Sequence, residues 1–409
     1  MTHRARANRL VIVGASLAGL RAAETARKYG FQDEIVLVGA EEHLPYDRPP
    51  LSKAFLDPGD AAVPWLRTER HLTEQLGLVL KLGVPASALD PQSQTVTVGE
   101  EAIHYSAMVI ATGAAARALP GAAGVRGVHT LRTLDDARAV RSALDAGART
   151  VVIGAGFIGS EIASGARMRG LDVTIVEALD VPLSRSVGPE VGYTLAALHK
   201  REDTELRCGA VVTGITEAGG QVRSVMLDDG TELPADLVIA GIGVTPSTGW
   251  LAKSGAALHQ RDGGLLCDET LWTGLPGVYA AGDVAHWPNA LFDGELMRLE
   301  HWATAVEQGA AAARNAIGPR GAALSTVPYF WSVWYGQRIQ FVGVPQADEV
   351  SVVSEPGSER LLALYRRGAR LVGCLTVDRP GQIMKYRRMI SERASWDHAL
   401  RFARSARLP

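Results

Sequence analysis

Short blocks of consecutive apolar residues recur along this chain, each ending in glycine or an acid, with helix-period stretches between them. Arg9 to Gly14 (RLVIVG) and Glu34 to Val38 (EIVLV) are such blocks, and Ala22, Ala23, Ala26 and Lys28 mark the helical pattern between them. Thr150 to Ile153 and Asp172 to Val176 repeat the arrangement with another helical stretch between. Continuous β-branched runs of four or five residues read as strands buried on both faces. Ala107 to Gly113 (AMVIATG), Ala235 to Gly243 (ADLVIAGIG) and Leu275 to Val284 (LPGVYAAGDV) add apolar strands that end in glycine turns.

The turns carry chemistry. Gly14-Ala15-Ser16-Leu17-Ala18-Gly19 follows the first strand, and the second ends in Gly39-Ala40-Glu41. Strand, glycine turn, helix, strand and acid make a dinucleotide-binding βαβ unit. Gly14 permits the sharp turn, a small residue at 16 lets backbone N–H groups approach a pyrophosphate, and Gly19 lets the helix lie close to the strand. The helix N-terminus adds positive dipole. Ser16 stands where the pattern has its middle glycine. The second copy, Gly154-Ala155-Gly156-Phe157-Ile158-Gly159, is complete, and Glu177 lies 23 residues after its first glycine. A carboxylate there accepts from the 2′-hydroxyl of NAD and repels the 2′-phosphate of NADP. The other glycine-ended strands place Thr112, Gly113, Gly243, Gly282 and Asp283 at turns suited to close ligand approach. Two cradles with these extra turns imply two bound dinucleotides rather than one.

Composition sets bounds. At 409 residues the chain is too long for one core and suits two or three domains. Apolar residues at 47% and charged residues at 21% are an ordinary globular balance, and no run approaches a membrane span of ~20 apolar residues. Met1 to Asn8 is basic, lacks the apolar core of a signal peptide and runs into a strand, so a cytoplasmic enzyme is expected. Cys208, Cys267 and Cys374 are far apart, without C-x-x-C or metal-cluster spacing, so no metal site is expected. Charge is uneven. From Arg360 onward eleven Arg and one Lys face Asp378, Glu392 and Asp397, a net of +9, which leaves −11 on residues 1–359 of a chain whose total is −2. A basic tail on an acidic body suggests an acidic protein partner rather than nucleic acid.

These motifs together make the chain resemble the pyridine-nucleotide-dependent flavoprotein reductases, in the ferredoxin-reductase branch. That branch includes putidaredoxin reductase, the reductases of aromatic-ring dioxygenases and rubredoxin reductase, with apoptosis-inducing factor a more distant relative. GASLAGLRAAE (14–24), LPYDRPPLSK (44–53), ATG (111–113), LRTLDDA (131–137), GAGFIGSE (154–161), GVYAAGDVA (277–285) and EHWATAVEQG (300–309) carry the likeness. The resemblance implies an α/β fold with an FAD-binding domain (1–114 and 243–326), an NAD-binding domain (115–242) and a small C-terminal α/β domain (327–409). FAD is then expected on Gly14, Ala15, Ser16, Gly19, Glu41, Arg48, Val84, Thr112, Gly113, Arg132, Gly282, Asp283 and Trp302, with Trp331 near the flavin edge facing the partner. NADH is expected on Gly154, Gly156, Phe157, Ile158, Gly159, Glu177 and Gly243. Lys53 and Glu161 are expected to form a catalytic ion pair beside flavin and nicotinamide.

Val333 and Trp334 stand where the family has an Asp-Gln pair after the serine. No cysteine lies in Leu44 to Lys53 and no C-x4-C in the first helix, so electrons are expected to leave the flavin directly for an outside acceptor. The implied activity is NADH:ferredoxin oxidoreductase (EC 1.18.1.-), serving a haem-thiolate or Rieske oxygenase through an acidic iron–sulfur ferredoxin, in a monomer or weak dimer. The other reading is a flavoprotein like apoptosis-inducing factor, or a rubredoxin reductase.

Overall fold

The strand Arg9–Val13 pairs in parallel with Glu34–Val38 on one side and Ala107–Ile110 on the other. Leu78–Lys81 and Val278–Ala280 add the outer strands, giving a five-stranded parallel sheet. The computed structural model describes residues 8–319, 321–354, 360–379 and 381–405. This first sheet belongs to a unit built from Met1–Asp47, Val63–Ala115 and Thr245–Thr326. Helices Leu17–Lys28 and Trp302–Ile317 pack closely against each other, and glycine makes that possible. A Cβ on Gly309 would sit 2.3 Å from the carbonyl oxygen of Ala18. Two small sheets also belong to the unit: Ala86–Asp90 with Thr95–Val98 and Glu101–His104, and Leu265–Leu266 with Ala285–Asn289 and Glu295–Met297.

The second unit comprises Arg48–Ala62, Ala116–Val244 and Val327–Pro409. Its parallel sheet runs Glu205–Cys208, Val173–Glu177, Thr150–Ile153, Leu237–Ala240 and Val128–His129. All four residues of Thr150–Ile153 are buried, as a strand flanked on both faces requires. A three-stranded antiparallel sheet spans Val212–Ala218, Gln221–Leu227 and Glu232–Pro234. Segment 48–62 belongs to this unit, and two of the unit's arginines hold its backbone. Arg141 donates to the carbonyl oxygens of Phe55 and, at 2.9 Å, Asp57, and Arg169 donates to that of Leu56.

The C-terminal part is a five-stranded antiparallel sheet in the order Tyr329–Trp334, Gln337–Gly343, Arg370–Val377, Leu361–Arg367, Glu349–Ser354. Tyr335 and Gly336, at φ 51° and 81°, make the two-residue turn between its first strands, where both central residues need positive φ. The runs Arg338 to Val342 and Arg370 to Leu375 are strand-like in sequence, and both lie inside this sheet. The sequence from Pro380 to Glu392 has a helical pattern; the helix is Ile383–Ser391, and Pro380 lies outside the described residues. A further helix, Trp396–Ser405, went unread because its fully buried positions are only Ala399 and Ala403. Among the described residues no helix is long and apolar enough to cross a membrane.

Candidate functional site

In the first unit the glycine turn lies at the carboxyl ends of the parallel strands, where ligands of open α/β sheets bind. Gly14 has φ +124°, and a Cβ there would lie 2.0 Å from the Ala111 carbonyl oxygen. A Cβ on Gly19 would lie 1.9 Å from the Gly14 carbonyl oxygen, so only glycine lets the helix sit this low on its strand. Ser16 precedes Leu17–Lys28 in extended conformation and its hydroxyl does not cap the helix. The Ala15–Ser16 backbone thus opens a helix N-terminus whose N–H groups suit a pyrophosphate. Glu41 follows Glu34–Val38 and its carboxylate accepts from the Tyr46 hydroxyl. Val84 is tied to the same corner by its N–H on the Gly39 carbonyl (3.2 Å).

Thr112 and Gly113 end Ala107–Ile110. The Thr112 hydroxyl donates to the Ser247 carbonyl (2.9 Å), and the Ser247 N–H donates back to Gly113 (2.9 Å). Gly282, at φ +80°, donates its N–H to Gln308 Oε1 (2.8 Å), and the carbonyl of Asp283 accepts from Arg298 (3.0 Å). Trp302 begins the Trp302–Ile317 helix and donates its indole N–H to Asp47 (2.8 Å). Desolvation holds the preceding His301 imidazole down at about 4, against the pull of the Asp283 carboxylate. That histidine is neutral at physiological pH.

In the second unit the cradle recurs. Gly154 has φ +101°, with a Cβ position 2.4 Å from the Gly241 carbonyl oxygen, and Gly159 packs on Gly154 in the same way. Nothing lies within 4 Å of a Cβ on Gly156, which leaves room for a phosphate before the Phe157–Arg167 helix. Both oxygens of Glu177 are oriented by backbone N–H groups, Oε2 by Ala155 (2.8 Å) and Oε1 by Leu179 (2.9 Å). Each oxygen keeps a lone pair for a ribose hydroxyl. Ile158 is exposed in the first helical turn, and Gly243, at φ +97°, follows Leu237–Ala240.

One turn into the same helix, Glu161 is buried at 4% exposure. Lys53 Nζ lies 2.9 Å from its Oε1. The Ser332 hydroxyl donates to Oε1 and the Ser52 hydroxyl to Oε2. A buried carboxylate is tolerable only with such partners. Sequence reasoning had named Lys53 and Glu161 and missed both serines. Ser52 was in view beside Lys53. Strand alternation through Tyr329–Trp334 would have put Ser332 on one face with Phe330 and Trp334.

Arg48 donates to the Arg132 carbonyl (2.6 Å), and the Arg132 N–H donates to Asp136 (2.9 Å). Trp331 stacks on Tyr329 at 5.9 Å between ring centres. The residues expected around the flavin therefore divide between the units: Arg48, Lys53, Arg132 and Trp331 fall in the second. Trp334 is 1% exposed, stacked on His199 (5.1 Å) and tilted against Phe157 (5.9 Å), so the substitution after the serine fills interior space.

The structure also gathers His259, Asp262 and His286, with ligand-type atoms within 4.8 Å of one another. Asp262 already accepts from Arg298 Nε at 2.8 Å and from His286 Nε2 at 3.0 Å. The group is a hydrogen-bonded His–Asp–Arg cluster.

Comparison with known proteins shows what the chain is similar to. Residues 8–309 fit the family described as pyridine nucleotide-disulphide oxidoreductase, and residues 329–408 the family described as reductase C-terminal. Rhodocoxin reductase of Rhodococcus erythropolis is 35% identical, over 93% of this chain and 89% of that protein. The ferredoxin–NAD(+) reductase component of the p-cumate 2,3-dioxygenase system of Pseudomonas putida is 34% identical, over 95% of each. The crystal structure of the covalent putidaredoxin reductase–putidaredoxin complex superposes with a TM-score of 0.89 at 32% identity, covering 94% of this chain and 93% of that one. Two dinucleotide cradles, a buried Lys–Glu pair and these matches together place the chain in the pyridine nucleotide-disulphide oxidoreductase family, as an oxidoreductase that uses FAD and NAD(H).

Proposed function

We propose that this protein is an NADH:ferredoxin reductase of the cytoplasm, delivering electrons to an acidic iron–sulfur ferredoxin that serves a haem-thiolate or Rieske oxygenase. FAD is assigned to the cradle of Gly14, Ala15, Ser16 and Gly19, with Glu41 at its ribose. NADH is assigned to Gly154, Gly156 and Gly159, with Glu177 at its ribose. In this reading residues 1–114 and 243–326 form the FAD domain, 115–242 the NAD domain and 327–409 the partner-facing domain. Bound FAD supplies the conversion of a hydride pair into single electrons. The chain's own residues orient and screen. The N-terminus of Trp302–Ile317 stabilises negative charge on the cofactor, and Lys53 with Glu161 fixes the edge where the nicotinamide lies.

The observation that carries the reading is the 2.9 Å pair between Lys53 and Glu161, the latter on the helix that opens from the second glycine cradle. In disulfide-reducing relatives a cysteine pair would relay electrons. Here Cys208, Cys267 and Cys374 are all free thiols. The names of the similar proteins support ferredoxin as acceptor. Anaerobic titration with NADH tests the assignment: about one FAD per chain should bleach with one equivalent of NADH. A protein that retains FAD but is not bleached by NADH overturns it.

A further inference from the structure

Phe157, Glu161 and Ser164 lie along one face of the Phe157–Arg167 helix, at spacings of four and three. Each meets the hairpin formed by Tyr329–Trp334 and Gln337–Gly343. Phe157 packs on Phe330 at 4.8 Å, Glu161 accepts from Ser332, and Ser164 Oγ accepts from the Tyr335 N–H at 2.8 Å. The Tyr335 hydroxyl is fixed in turn by His199 Nδ1 (2.8 Å) and Thr204 (2.9 Å). The strand is thus pinned to the helix on both sides of Ser332, which is fully buried. Its hydroxyl has one place to go, the Glu161 oxygen that also faces Lys53.

A salt bridge to a flexible lysine leaves a carboxylate free to rotate and slide, whereas hydroxyls on both oxygens fix its plane. Ser52 holds Oε2 from the segment that carries Lys53, and Ser332 holds Oε1 from the C-terminal sheet. We propose that Ser332 is a positioning residue for hydride transfer: it holds the Glu161 carboxylate in the orientation that keeps Lys53 in place. This rests on the assignment of Lys53 and Glu161 to the nicotinamide edge.

The test uses the full-length FAD-loaded protein, mixed rapidly and anaerobically with NADH. Ser332→Ala should lower the limiting rate of flavin bleaching on the order of tenfold, the effect of one hydrogen bond to a charged group. FAD content should not change, and the NADH concentration at half-maximal rate should shift less than the limiting rate does. Ser332→Thr, which keeps the hydroxyl, should restore most of the rate. In a Glu161→Gln background Ser332→Ala should slow the reaction no further. Carbodiimide labelling of Glu161, read by mass spectrometry, should rise several-fold in Ser332→Ala over wild type. Should Ser332→Ala fail to fold, Ser332→Cys, which keeps the volume and weakens the donor, carries the same comparison. A wild-type limiting rate in the alanine variant, or equal slowing with and without the Glu161 carboxylate, overturns the role of Ser332. A wild-type rate in Glu161→Gln itself would instead overturn the placement of the pair at the nicotinamide.

Discussion

Glu177 Oε2 accepts the backbone N–H of Ala155 at 2.8 Å, which ties the acid ending one strand to the glycine turn ending its neighbour. Under the proposed assignment of NADH to this cradle, the held carboxylate lies at the adenosine ribose. A 2′-phosphate there would face a held negative charge, so NADH should be preferred to NADPH by roughly 10²-fold or more in kcat/KM. Glu177→Gln should raise the NADPH-to-NADH ratio at least about tenfold, mainly by improving NADPH. Equal efficiencies in the wild-type protein would remove Glu177 from the ribose.

Lys53→Met removes the cation from a pair whose acid is 3% exposed at the side chain. Misplacing a reacting partner by about 1 Å can cost 10²-fold, so bleaching of FAD by NADH should slow by about that factor while FAD is retained. Leaving Glu161 without its cation should also lower stability by about 3 kcal/mol. The Lys53→Met/Glu161→Gln double variant should recover much of the stability but not the rate. Comparing denaturant midpoints with stopped-flow traces separates the two effects.

His199 predicts how stability responds to acid. Burial pushes its imidazole down to about 4, and its ring bonds Ser160 and Tyr335 in the neutral form. The unfolded chain takes up this proton from about pH 6.5 downward, while the folded chain resists until about 4. Stability should therefore fall as pH drops through that window and level off below it, by about 3 kcal/mol from this group. His199→Gln should flatten the dependence of Tm on pH between 6.5 and 4. An unchanged slope would mean that other groups dominate.

Both cradles were legible in the sequence because their chemistry is local. Gly14 and Gly154 need positive φ, Gly19 and Gly159 need missing side chains, and the acids follow at fixed spacing. Lys53 and Glu161, 108 positions apart, were reached only through the family resemblance. Ser332, 171 positions from Glu161, carries no local signal of its own, since a serine in an aromatic strand reads as filler until its partner is known. The C-terminal sheet is built from distant antiparallel pairings such as Phe341 with Leu375, which periodicity alone does not register. Segment 48–62 belongs to the second unit, where arginine–carbonyl bonds that no hydrophobic pattern announces hold its backbone.

Several arginines of the basic C-terminal stretch are already engaged within the protein. Arg379 is buried at 7% exposure, Arg366 pairs with Glu349 at 2.8 Å, and Arg388 pairs with Glu392 at 2.8 Å. Arg407 lies outside the described residues. Arg401 and Arg404 are exposed on Trp396–Ser405 and form no ion pair among the described residues, which makes them better probes of docking than the paired arginines. Reversing both to Glu should raise the apparent KM for an acidic ferredoxin about tenfold and leave NADH oxidation by a neutral quinone unchanged. No change in ferredoxin KM would place the docking surface elsewhere.

In the proposed reaction electrons pass from NADH through bound FAD to an acidic ferredoxin. Its most direct measurement is anaerobic steady-state reduction of an acidic iron–sulfur ferredoxin by NADH at increasing salt, with a neutral quinone as parallel acceptor. Turnover should be on the order of 1–10³ s⁻¹ at low ionic strength and fall steeply as the Debye length shrinks from ~10 Å at 0.1 M to ~3 Å at 1 M. Quinone reduction should stay nearly constant across the same range. Rapid quinone reduction with no ferredoxin reduction at any salt concentration would contradict the account.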